Sequence, residues 1–218
     1  MEKIKRFCRE NARILLALGA VLAFCAVLPV MFAATAVPTG SWGLSFRTEG
    51  QPPVGNATAG ALRQYDAVYV GDTEEKVIYL TFDAGYEAGY TEQILDVLKK
   101  HDVKAAFFVV GTYIENNPEL VRRMAEEGHI VGNHTWHHYN MSQIADLQSF
   151  TRELQSVADQ YREATGEEML PYYRPPQGVY SEENLKMAKS LGYRTVFWSL
   201  AYVDWNRDAQ PTPEQAYE

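Results

Sequence analysis

Beyond residue 76 the chain alternates short apolar runs with amphipathic stretches, and this restricts the fold more than any other feature. The strand-like runs span residues 77–83, 104–110, 129–133, 172–174 and 194–200. Between them, residues 91–100 carry Ile94, Leu95, Val97 and Leu98 at helical spacing, with Thr91 as the expected N-cap. Residues 118–127 begin with proline and are followed by Gly128. Residues 142–165 form one long helical pattern stopped by Gly166. Residues 181–191 carry Glu182 and Glu183 in their first turn and Gly192 beyond their end. Such β-α alternation predicts a parallel sheet with helices outside it, as a barrel or an open sheet.

The first 37 residues read differently. Lys3, Lys5, Arg6, Arg9 and Arg13 form a positive cap, and residues 14–36 carry no charge. This is the grammar of a secretory signal peptide or a signal anchor. The apolar stretch approaches the roughly 20 residues that span a bilayer, while Ala34-Thr35-Ala36 offers a cleavage site. Either way the remainder is expected to be exported, secreted or held at the membrane by its N-terminal segment. Both cysteines, Cys8 and Cys25, lie here, so the exported part can form no disulfide of its own and offers no thiol chemistry. Residues 38–67 are rich in Gly, Pro, Ser, Thr and Ala and read as a tether, although Trp42, Leu44 and Phe46 could dock on a surface. The domain proper is then expected over 68–218. A net charge of −8 argues against nucleic-acid binding.

The chemically distinctive residues gather at one topological place. Asp83, His134, Arg174 and Asp204 each lie at or just beyond the C-terminal end of an expected strand. In α/β folds that edge is the active face. His134 and His138 are four apart, a spacing that on a helical turn brings two imidazoles within reach of one metal ion. His137 then points elsewhere, and His101 and His129 read as a helix end and a strand start. In Arg174-Pro175-Pro176-Gln177-Gly178, two prolines stiffen a turn and the glycine permits close approach to a ligand. Such a turn can aim a backbone N–H at an oxyanion, and Arg174 can hold a nearby carboxylate ionised. Trp136 and Trp205 are candidates for the wall of a sugar-binding groove, whereas Trp198 reads as core.

Taken in order, these segments resemble the polysaccharide deacetylases of carbohydrate esterase family 4, the NodB homology group. The likeness runs from about Lys76 to Trp205. The family motif TFDDG corresponds to Thr81-Phe82-Asp83-Ala84-Gly85, and its metal-binding histidine motif to His134 through His138. Its arginine motif corresponds to Arg174 through Gly178, and its Asp-Trp motif to Asp204-Trp205. The resemblance implies a distorted (β/α) barrel and a divalent metal, zinc foremost, on His134 and His138. It implies Asp83 as general base and Arg174 as its orienting partner. The Gln177 backbone would hold the oxyanion beside Gly178, Trp136 and Trp205 would line the substrate groove, and Asp204 would tune the general acid. TFDAGYEAGYT, RPPQG and SLAYVDW resemble the delta-lactam-biosynthetic de-N-acetylases of spore formers. That branch implies N-acetylmuramic acid in a peptidoglycan glycan strand as the substrate, on the way to the muramic δ-lactam of spore cortex.

Two departures from the family pattern bear on this. Ala84 stands where the family has a metal-binding aspartate, which implies weaker or different coordination. No Leu-x-His motif, the family's general-acid motif, follows Trp205, so the final barrel strands are expected to be missing and the chain inactive as written. Two other classes remain: a non-catalytic, membrane-tethered glycan-binding module, and a metal-dependent amidohydrolase or peptidase of another kind.

Overall fold

The computed structural model describes residues 39–201 and 203–216. The expected signal segment, with both cysteines, lies outside the described residues.

Residues 38–67 are a correction to the expected tether. They contain strands β1 (Gly40–Ser41), β2 (Leu44–Ser45) and β3 (Val54–Gly55), then helix α1 (Ala59–Arg63), and lead into β4 (Ala67–Val68). Thr58 caps α1 by accepting from the Ala61 N–H at 3.1 Å. Leu62 is fully buried, and Trp42, only 6 % exposed, stacks on Phe197 with ring centroids 4.6 Å apart. The Trp42 indole N–H donates to the Trp198 carbonyl at 2.9 Å. Gly50, at φ +71°, serves a turn, whereas Gly40, Gly55 and Gly60 lie within β1, β3 and α1, and the segment carries the buried aromatic anchor Trp42.

The remaining elements are β5 (Thr81–Ala84), α2 (Thr91–Lys100), β6 (Ala106–Val109), α3 (Gly111–Asn116), α4 (Pro118–Glu126), β7 (Ile130–Asn133), α5 (Leu147–Thr165), β8 (Tyr172–Tyr173), β9 (Val179–Tyr180), α6 (Glu182–Ser190), β10 (Arg194–Val196) and α7 (Pro213–Ala216). Six strands form one parallel sheet in the order β4-β10-β8-β7-β6-β5, the α/β fold read from the alternation. Two antiparallel pairs, β1 with β9 and β2 with β3, stand beside it.

Helix α2 has the expected bounds, but its N-cap is Tyr90, which makes no side-chain capping bond, and Thr91 is the first helical residue. The pattern over 142–165 divides into a short 3-10 turn at Met141–Gln143 and α5. The division occurs because Asp146 accepts from the Ser149 N–H at 2.7 Å and starts the helix there. Gly166, at φ +79°, ends it. Helix α3 has no counterpart in the sequence reading, since six residues are too few to show a period. Strand β10 stops at Val196 rather than continuing to residue 200.

Residues 77–80, expected as a buried strand, precede β5 and are exposed, Ile78 by 86 %. β5 is an edge of the sheet, so this run has a neighbour on one side only, where the Ala106 N–H donates to the Leu80 carbonyl at 3.0 Å.

The larger core cluster joins Leu95, Phe107, Val109, Tyr113, Val121 and Met124 to Val157 and Tyr161 of α5. A second joins Met141, Phe150, Leu154 and Tyr173 to Ala188. Helix α5 thus packs into both, which fixes it beside the C-terminal end of β7. Among the described residues no helix is long and apolar enough to cross a membrane.

Candidate active site

The parallel register aligns the strand ends. Asp83 lies opposite Phe108, Ala84 opposite Val109, Val109 opposite Asn133, and Asn133 opposite Tyr173. Asp83, His134 and Arg174 therefore emerge from three strands at one edge.

Arg174 is the hub. Its side chain is 3 % exposed and its guanidinium lies 4.1 Å from the Phe108 ring centroid. Nη1 donates to Asp83 Oδ1 at 2.7 Å and to Thr81 Oγ1 at 3.0 Å, Nε to the Val196 carbonyl at 3.0 Å, and Nη2 to the Phe197 carbonyl at 3.3 Å. Burial opposes the charge on Arg174 and the Asp83 carboxylate supports it. The Arg174 carbonyl lies 2.8 Å from His134 Nδ1. A carbonyl only accepts, so Nδ1 carries the proton and Nε2 keeps its lone pair. That Nε2 lies 3.8 Å from Asp83 Oδ2. Burial lowers the His134 pKa to about 4, so the ring is neutral near neutral pH.

His138 completes the pair, with its ring centroid 5.0 Å from that of His134. The segment is not the helical turn expected from the spacing. It is an irregular loop in which Thr135 and His138 take φ of +69° and +59°. Side-chain hydrogen bonds replace helical ones. Asn133 Oδ1 accepts from the Thr135 N–H at 2.9 Å, and Thr135 Oγ1 accepts from the His138 N–H at 3.0 Å. Burial lowers the His138 pKa as well.

The other candidates fall elsewhere or nearby. Gln177 is exposed, at φ +58°, in the turn after Pro175. Gly178 is buried at φ +66°, and a Cβ there would lie 2.5 Å from the Trp198 ring and 3.1 Å from Trp42 Cβ, so its bareness accommodates those tryptophans. Trp136 packs over Gly111 and against the larger core cluster. Its ring also lines a cleft of about 370 Å³ along α5, with His137, Arg152, Glu153 and Glu163. Trp205 is 77 % exposed. Asp204 is exposed and, among the described residues, its carboxylate makes no hydrogen bond or ion pair with Arg174 or Asp83. The structure thus unites Asp83, His134, His138 and Arg174; among the described residues no hydrogen bond or ion pair joins Asp204 to them, and Trp205 stands exposed. Sequence reasoning missed Thr81, Asn133 and Glu153. Thr81 sat inside the first motif and Asn133 at the end of an expected strand, whereas mid-helix Glu153 carried no signal.

Comparison with known proteins identifies the family and the fold. A family profile described as polysaccharide deacetylase matches residues 70–196. The chain belongs to the polysaccharide deacetylase family. It is 47 % identical over 189 residues to the peptidoglycan-N-acetylmuramic acid deacetylase PdaA of Bacillus subtilis, covering 85 % of this chain and 71 % of that protein. The solved structure of PdaA, a family 4 carbohydrate esterase, superimposes with a TM-score of 0.76 over 81 % of this chain and 76 % of that one. A family 4 carbohydrate esterase from Bacillus anthracis matches with a TM-score of 0.67 at 43 % identity, covering 78 % of each chain. An uncharacterized 30.6 kDa protein of Geobacillus stearothermophilus is 49 % identical over 178 residues, covering 81 % of this chain and 67 % of its own length. The deacetylase domain is a hydrolase fold of the NodB type, and its family typically depends on a metal ion.

The donor set fits such an ion in part. Two neutral imidazoles converge, one with its tautomer fixed by a backbone carbonyl, as metal-bound histidines generally require. Among the described residues no group of three His, Cys, Asp or Glu side chains is assembled as a ligand set. Ala84, in the family's aspartate position, packs with Phe82 against the larger core cluster.

Proposed function

We propose that this protein removes the N-acetyl group from N-acetylmuramic acid in peptidoglycan, with His134 and His138 holding a divalent metal, zinc foremost. The observation that carries the proposal is the double hold of Arg174, whose guanidinium fixes Asp83 and whose carbonyl fixes His134. The muramic acid substrate rests on the likeness to PdaA.

The residues divide the work as follows. Asp83 Oδ1 is engaged by Arg174, which leaves Oδ2 to accept the proton of a water placed between it and the imidazoles. Arg174 keeps Asp83 in one orientation through the bond to Oδ1. The bound metal supplies Lewis-acid polarisation of the acetamide carbonyl and lowers the pKa of water. The exposed turn at Gln177 offers its backbone to the developing oxyanion. Water adds to the carbonyl carbon, the C–N bond breaks, and the proton taken by Asp83 accounts for the one the departing amine gains. The products are acetate and a protonated amino sugar, the second proton of the water passing from the new carboxylic acid to the amine; once deprotonated, that amine can close a lactam with the lactyl carboxyl of the same residue, with loss of water. The basic and apolar N-terminus directs this chemistry to the outside of the membrane, at the wall or spore cortex.

The test is acetate released from purified peptidoglycan by the metal-loaded protein and by Asp83→Asn. Release that depends on both metal and Asp83 supports the reading. Binding of glycan with no acetate from the loaded wild type overturns it in favour of a non-catalytic module.

A further inference from the structure

We infer that Glu153 of α5 is a positioning residue that sets the shape of the metal-binding loop from behind. This rests on the reading of His134 and His138 as metal ligands. The Glu153 side chain is 11 % exposed, and its carboxylate is used three times. Oε2 accepts from the Trp136 N–H at 3.2 Å and from the His137 N–H at 3.1 Å. Oε1 accepts from His137 Nδ1 at 2.7 Å. The next residue along the helix holds the start of the same loop, since the Leu154 carbonyl accepts from Asn133 Nδ2 at 2.8 Å. One turn of α5 therefore grips residues 133, 136 and 137, on both sides of His134.

The loop needs this grip. Thr135 and His138 both adopt left-handed backbone, which non-glycine residues hold only when surroundings enforce it. His134 is fixed separately by the Arg174 carbonyl. The His138 ring makes no hydrogen bond among the described residues, so its place opposite His134 is set by the path of the loop. A carboxylate suits the task because it offers several acceptor sites and no donor that would repel the two N–H groups. Helix α5 is itself held in both core clusters, so the grip is anchored to the rigid part of the domain.

The experiment compares zinc affinity, by titration against a chelator, in wild type, Glu153→Ala, Glu153→Gln and His137→Ala. Cobalt absorption reports ligand geometry, and amide hydrogen exchange at Trp136 and His137 reports the grip without any metal. Glu153→Ala is expected to bind zinc roughly 10- to 100-fold more weakly, the usual effect of removing a group behind a metal ligand. It should also shift the cobalt bands and lose amide protection. Glu153→Gln keeps one acceptor oxygen for the two N–H groups and is expected to restore most of the affinity even if the alanine variant fails to fold. His137→Ala leaves the backbone bonds and should stay close to wild type. Wild-type affinity and amide protection in Glu153→Ala overturn the proposal, as does a glutamine variant as weak as alanine. Wild type that binds no metal while Glu153→Ala still loses amide protection overturns the metal reading instead.

Discussion

The carbonyl oxygen of Arg174 sits 2.8 Å from His134 Nδ1, while the guanidinium of the same residue holds Asp83 at 2.7 Å. One residue thus fixes the Asp83 carboxylate and the His134 imidazole, the proposed base and metal ligand, relative to each other. The side-chain half of this arrangement follows from the residue type. The backbone half needs β7 and β8 paired in register at Asn133 and Tyr173, and would survive any side-chain replacement that keeps the strand.

The two halves are separable by mutation. Lysine at position 174 keeps a charge, yet it cannot reach Asp83, Thr81 and two carbonyls at once. Arg174→Lys is expected to lower the rate of acetate release by about 10²-fold through misplacement of Asp83. Zinc affinity should change far less, because the carbonyl to His134 remains. Steady-state rates and metal titration on one preparation check this, and an unimpaired rate counts against Arg174 as the orienting group.

Two histidines are fewer than the roughly three protein ligands usual for catalytic zinc. Metal is therefore expected to leave readily. Dipicolinate at millimolar concentration should abolish acetate release, and zinc or another divalent ion should restore it. His138→Ala is expected to weaken binding by at least about tenfold. Activity that persists after metal analysis shows none bound would refute the assignment.

Gly111 begins α3 directly beneath Trp136, where an added Cβ would lie 2.1 Å from the indole ring. Trp136 lies between His134 and His138, the two proposed metal ligands, in the chain, so displacing its ring displaces the loop. Gly111→Ala is expected to destabilise the domain by about 1–3 kcal/mol through overpacking. It should also reduce metal affinity, which a substitution that only destabilised the fold would leave intact in the folded fraction. Urea unfolding and zinc titration together separate the two effects.

Trp42 shows where reading the sequence succeeds and fails. Strand ends are legible because apolar runs and motif residues coincide, and Asp83, His134 and Arg174 do meet. The segment around Trp42 is not legible as structure, since two-residue strands carry no alternation to detect. The path between His134 and His138 is hidden for another reason. It depends on Asn133, Thr135 and Glu153 side chains that replace backbone hydrogen bonds, and spacing alone cannot reveal them. Residues 77–80 mislead because an apolar run does not say whether the sheet has a neighbour to cover it.

Trp42→Ala tests the corrected boundary. The ring stacks on Phe197, tilts against Tyr69 at 4.9 Å, and donates to the Trp198 carbonyl. Removing it is expected to destabilise the domain by about 3–5 kcal/mol. A tether residue would change stability by less than about 0.5 kcal/mol. Denaturant unfolding distinguishes these outcomes.

The buried histidines make the metal-free protein sensitive to acid. His134 has its pKa lowered to about 4 by burial, from an ordinary value near 6.5. His129 is lowered in the same direction by burial, and its Nδ1 accepts from the Ala105 N–H, a bond that protonation would remove. Between pH 4 and 6.5 the unfolded chain therefore binds more protons than the folded one, so stability rises with pH across that window. The contribution is complete above about pH 6.5 and is lost as pH falls toward 4. For His134 alone it is on the order of 3 kcal/mol, or several degrees in melting temperature. Melting curves of metal-free wild type and His134→Asn over pH 4–7 provide the check. The slope should flatten in the variant, and equal slopes would remove His134 as the source.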